Sequence, residues 1–101
     1  MKVRITVPAR RESIRIAQRY DRMTPGRGDL FLADLARTMA MAKLFAEARR
    51  LKRSAPEKRE FRRFPYAVLY AVEAGVMYVL AVGHVRRGPR YWSRKSKVAR
   101  E

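Results

Sequence analysis

His84, Arg86, Arg87, Arg90 and Tyr91 fall within eight consecutive residues of this chain, and Arg63 stands just ahead of the apolar segment that leads to them. Side chains of these types suit phosphate chemistry. A guanidinium binds two phosphate oxygens at once, and a phenol or an imidazole can exchange a proton. Cleaving RNA without a metal needs a base for the 2′-hydroxyl, cations for the charge of the phosphorane, and an acid for the leaving oxygen. On that chemistry Arg63 and Arg87 are candidate phosphate clamps, with Arg86 as an alternative. Arginine stays protonated, so the proton transfers fall to Tyr91, His84 or a lysine of depressed pKa. Lys52, Lys58, Arg59, Arg62, Arg90, Arg94 and Lys95 are candidates for contact with backbone phosphates or an acidic target. Each assignment competes with a structural one. His84 ends an apolar strand, where a hydrogen-bonded imidazole belongs, and Tyr91 and Trp92 can plug the end of a sheet.

The charge balance points the same way. Lysine and arginine number 25 against nine acids, a net charge of +16. Residues 49–63 hold eight bases and two acids (+6), and residues 86–101 hold seven bases and one acid (+6), so two segments carry most of the excess. A field of this sign favours nucleic acid or an acidic protein partner. The chain has no cysteine, which excludes disulfides, thiol catalysis and cysteine zinc sites and fits a cytoplasmic location. With one histidine and scattered acids, neither a metal site nor a cofactor is expected. No apolar run reaches transmembrane length, and the N-terminus lacks the apolar stretch of a signal peptide, so no membrane association is expected.

The elements that must position these groups can be read in order. Residues 2–7 alternate as a strand with Val3, Ile5 and Val7 facing a core. Pro8 opens a helix to about Arg22, with Ile16, Ala17, Tyr20 and Met23 buried and Arg11, Arg15, Arg19 and Arg22 on a solvated face. Thr24–Gly28 is a break. Asp29 then caps a second helix, Leu30 to Arg49, with Phe31, Leu35, Met39, Ala42 and Phe45 or Ala46 inward. Lys58–Phe64 reads as a short strand. Tyr66–Val72 and Val76–Val82 are apolar on both alternating faces and flank Gly75, which suits a tight hairpin; the second run extends to His84 or Val85. Arg86–Pro89 is a turn. The expected fold is α+β: an N-terminal strand, an antiparallel helical hairpin, then a three-stranded antiparallel meander with the helices on one sheet face. Residues 1–92 form one domain and residues 93–101 a loose basic tail. The second apolar sheet face is expected to await a partner or a second copy.

In this order and spacing, RRFPYAVLYAVEAG followed by VLAVGHVRRGPRYW resembles the RelE/ParE superfamily, the toxin halves of bacterial type II toxin–antitoxin pairs. The residues that carry the likeness are Arg63, Phe64-Pro65-Tyr66, Tyr70, and His84 through Pro89, with Gly88 where the family often has an acid. The likeness spans residues 2–92. It looks more like the ParE, or plasmid-stabilisation, branch, which implies a non-catalytic poison of DNA gyrase. The RelE branch would instead imply a ribosome-dependent messenger RNA endoribonuclease, and only then would Arg63, Arg87, Tyr91 and His84 be catalytic. Either branch implies neutralisation by an acidic cognate antitoxin. A third possibility is a basic nucleic-acid-binding protein without toxicity.

Overall fold

The structure is a computed structural model and describes residues 1–100. Seven elements follow one another: β1 (Lys2–Ile5), α1 (Val7–Met23), α2 (Arg27–Ala48), β2 (Glu57–Glu60), β3 (Tyr66–Glu73), β4 (Val76–His84) and α3 (Pro89–Lys95). The sheet order is β1-β4-β3-β2. The meander β2-β3-β4 is antiparallel, as expected, while β1 lies parallel to β4 with Lys2 opposite Val76 and Ile5 opposite Val79. The fold is therefore α+β with a mixed sheet.

The β3–β4 hairpin turns on two residues, Ala74 and Gly75, both with positive φ (49° and 74°). That is the turn whose twist matches paired strands. Further along, Leu69 faces Ala81 but Tyr70 faces Val79, so Leu80 is an extra residue in β4. This bulge shifts the alternation. Met77, Val79 and Val82 consequently face the helices, and Leu80 and Ala81 face the other side. The helix-side core holds Phe31, Val68, Val72, Met77 and Val79 at essentially zero exposure. Around Phe31 gather the rings of Tyr20, Phe61, Phe64 and Tyr66, at centroid separations of 5.2–5.8 Å.

Several expectations need correction. The second sheet face does not wait bare: Tyr91 and Trp92 of α3 pack there on Ala67, Leu69, Ala71, Leu80 and Ala81. Helix α3 also takes in Ser93, Arg94 and Lys95, residues read from sequence as tail. Only Glu57–Glu60 pairs as strand β2; Phe61 still donates its N–H to the Tyr66 carbonyl, and residues 62–64 turn away because Asp34 captures their N–H groups. Asp29 lies in the first turn of α2, and Gly26 occupies the cap position in a left-handed conformation. Met23 is 70% exposed, since it is the last residue of α1, next to the exposed turn that leads to α2. Val3 and Val7 are exposed as well, because β1 stops at Ile5 and Thr6 becomes the cap of α1.

The α1–α2 hairpin is pinned by a close approach. A Cβ on Gly28 would run into the Ala17 carbonyl oxygen, and the Gly28 N–H donates to Asp21 Oδ1 at 2.8 Å. Gly28→Ala is therefore expected to destabilise the fold by about 2 kcal/mol, read as a lower urea midpoint with unchanged m. An unchanged midpoint would mean the two helices separate at no cost.

Candidate functional site

Because β1 ends at Ile5 while β4 runs on to His84, the far half of β4 has an open edge. Side chains fill it. Thr6 donates its backbone N–H and its hydroxyl to the Val79 carbonyl, each at 3.1 Å. One turn into α1, Glu12 accepts the Val82 N–H on Oε1 at 3.1 Å. Its other oxygen accepts the Tyr91 hydroxyl at 2.6 Å and pairs with Lys95 Nζ at 3.2 Å. One carboxylate thus ties α1, β4 and α3 together. Tyr91 stands edge-on to Trp92 (4.9 Å), and the Trp92 indole N–H donates to the Arg87 carbonyl at 3.0 Å. Gly83 makes room for this helix: a Cβ there would lie 2.7 Å from the Tyr91 hydroxyl.

Beside this junction is a cleft of about 330 Å³. Helix α1 lines it with Glu12, Arg15 and Arg19, and the end of β4 and the following turn bring His84 and Arg87 to the Tyr91 side. The Arg87 guanidinium lies 4.5 Å from the Tyr91 ring centre, a cation–π contact that orders it. His84 accepts the Arg86 N–H on Nδ1 at 3.0 Å, so the neutral ring carries its proton on Nε2. Burial, then the bond to Glu12, pushes the Tyr91 phenol well above the usual tyrosine range. A phenol in that state donates a hydrogen bond and does not ionise near neutrality.

Of the four residues proposed for catalysis, His84, Arg87 and Tyr91 share this cleft; Arg63 does not. It lies at a separate recess with Arg27 and Arg37 of α2. The binding candidates scatter. Arg90 and Arg94 line the outer side of α3, whereas Lys95 points back to Glu12. Lys58 sits 5.0 Å over Trp92 on one face, and Arg59 sits 4.5 Å over Phe45 on the other. Arg62 and Arg86 are exposed in turns. Lys52 lies by the β3–β4 turn, its carbonyl accepting the Gly75 N–H. Sequence reasoning missed Glu12 and placed Arg15 and Arg19 on a passive face. The available signal was Glu12 itself, the one acid among the four arginines between Arg10 and Arg19. Among the described residues there is no cluster of metal-ligating side chains, and no helix is long and apolar enough to cross a membrane.

Comparison with known proteins agrees with this architecture. A solved chain of the chromosomal ParDE TA system from P. aeruginosa superposes with a TM-score of 0.68 at 13% identity, covering 83% of this chain and 95% of that one, a likeness of fold. Comparison with curated protein sequences gives no match. The family described as ParE toxin of type II toxin-antitoxin system, parDE, matches residues 3–89, from β1 through the start of α3. A match of that extent is decisive: the chain belongs to the ParE toxin family of type II toxin–antitoxin systems.

Proposed function

We propose that this chain arrests bacterial growth by binding DNA gyrase without chemistry of its own, and that an acidic antitoxin neutralises it. Family membership supports the toxin role. The observation that carries the non-catalytic reading is the hydrogen bond from Tyr91 to Glu12. Tyr91, the phenol packed against Arg87, is tied into the seat of α3, held protonated by burial and by a carboxylate that also anchors Val82 and Lys95, while the cleft's other phenol, Tyr66, packs edge-on to Phe31 and His84 in the aromatic cluster. Arg15, Arg19 and Arg87 then make a cationic rim suited to docking on an acidic surface.

The antitoxin reading rests on the outer face of α2. Leu30, Leu44 and Phe45 are 55%, 57% and 44% exposed there, on a protein of net charge +16. A segment mixing acidic and apolar residues would cover that face and order on binding.

The test is induced expression without antitoxin, with DNA and protein synthesis pulse-labelled in parallel. DNA synthesis is expected to stop first, with filamentation, and Tyr91→Phe is expected to keep the arrest within about threefold. The RelE-like alternative, favoured only by the shared cleft of His84, Arg87 and Tyr91, makes the opposite forecast. Protein synthesis would stop first, and Tyr91→Phe would lose about 100-fold or more, the usual size of an acid–base contribution. Absence of any growth defect would leave the third reading, a nucleic-acid-binding protein without toxicity.

A further inference from the structure

Arg27, Arg37 and Arg63 converge on a recess of about 360 Å³ near the start of α2, walled by Leu30, Ala33, Asp34 and Phe64. All three arginines are exposed. The ion pairs among the described residues lie elsewhere, at Met1–Glu47, Arg49–Glu57, Lys95–Glu12 and Arg100–Glu73. The one acid in the wall, Asp34, is 6% exposed and turned inward, where its oxygens accept the backbone N–H groups of Arg62, Arg63 and Phe64 at 3.3, 2.9 and 3.0 Å. Three guanidiniums less one carboxylate leave the recess at +2. Arg27 is already ordered, stacked 5.4 Å from the Phe64 ring and 5.7 Å from the Tyr20 ring. A ligand would therefore meet at least one donor, Arg27, that needs little further fixing.

We propose that this recess is a carboxylate-binding site that receives an acidic side chain of the antitoxin and helps set which antitoxin this toxin accepts. The proposal rests on the functional reading above, in which an acidic antitoxin segment covers α2. The surroundings favour a carboxylate on a protein chain over a nucleic-acid phosphate. Arg37 lies on the same helix side as Leu30, Ala33, Ala40 and Leu44, all exposed. A peptide with an acid at one position and apolar residues one turn away satisfies the guanidiniums and covers the apolar stripe together. A phosphate backbone would satisfy only the first. The site explains why Arg63 departs from the cleft. The Asp34-bound turn places it in the recess lined by α2 and leaves it out of the cleft that holds Arg87 and Tyr91.

The test measures the affinity of the purified toxin for the antitoxin encoded with it, a reading that does not depend on toxicity. Arg37→Glu is expected to weaken the complex by about 30-fold or more, as expected for reversing a charge that faces a partner charge. Arg53→Glu makes the same change in net charge at an exposed loop residue and is expected to weaken it by less than about threefold. Arg63→Glu should follow Arg37→Glu, and an acid-to-arginine change in the antitoxin should restore binding to the Arg37→Glu toxin. Equal losses at Arg37 and Arg53 would reduce the effect to general charge and overturn the site. So would an unchanged affinity in both Arg37→Glu and Arg63→Glu. Loss of DNA binding with antitoxin affinity intact would reassign the recess to phosphate and overturn the proposal too. A wild-type chain that arrests no growth yet shows these affinity changes would remove the gyrase reading and leave the recess standing.

Discussion

Asp34→Ala is expected to cost about 3 kcal/mol of folding stability, a fall of ~15 °C in the unfolding midpoint for a chain of this size. The carboxylate is buried in the middle of α2 and accepts three consecutive backbone N–H groups, those of Arg62, Arg63 and Phe64. A hydrogen bond to a charged group is worth about 1.5–3 kcal/mol, and a buried donor left bare costs a comparable amount. Arg62 and Arg63 are exposed enough for water to replace part of the loss, which is why the estimate stays below the sum of three bonds. The turn also sets Phe61 and Phe64 against Phe31, at 5.3 and 5.6 Å, so its loosening frays the aromatic cluster. Asp34→Asn keeps one acceptor and should recover about half. A midpoint within 3 °C of wild type for Asp34→Ala would show that the turn holds its shape without the carboxylate.

Glu12→Ala is expected to cost a similar amount, about 3–4 kcal/mol, and to act on a different part of the molecule. It strips the Val82 N–H, the Tyr91 hydroxyl and the Lys95 ammonium of their shared partner. Removing one member of a largely buried charged network leaves the others uncompensated. The expected result is α3 lifting from the sheet before the rest of the fold gives way. Trp92, the one tryptophan, reports this directly, because its ring is buried by that packing. A red-shifted emission at temperatures where helix content is still native is the expected signature. Emission that shifts only with global unfolding would mean α3 is held by its apolar contacts alone.

How far the sequence disclosed this arrangement depends on the residue. The runs Tyr66–Val72 and Val76–Val82 declared a central hairpin because both alternating faces are apolar, and both prove buried. The helical hairpin was legible from periodicity and the Thr24–Gly28 break. Helix α3 was not. It has seven residues with its two large apolar side chains adjacent, so no helical period can appear. Its sequence mark is Gly88-Pro89, a pair that suits a turn as well as a helix start. Asp34 carried a usable signal that went unread: it stands three residues after Phe31 and four before Thr38, on the buried stripe of α2. An acid there must find donors, and the chain supplies them from a turn 28 to 30 residues away. The placement of Arg63 was beyond local pattern, because Arg62 and Arg63 look alike until that turn decides which way each faces.

The parallel pairing of β1 with β4 has a consequence in time. Thr6 bonds to Val79, Glu12 to Val82 and Tyr91, and the first strand has no other neighbour in the sheet. At ordinary rates of synthesis, residue 91 follows residue 12 by roughly 4–16 s. For most of that interval the helices can coil, but the sheet that covers their apolar stripe is incomplete. Loop closure of this span must come before the contacts that reward it, which places the chain among slower folders for its length. The strand that holds β1 in place is therefore made some 74 residues after it, and the nascent chain carries its first strand unpaired until β4 has emerged.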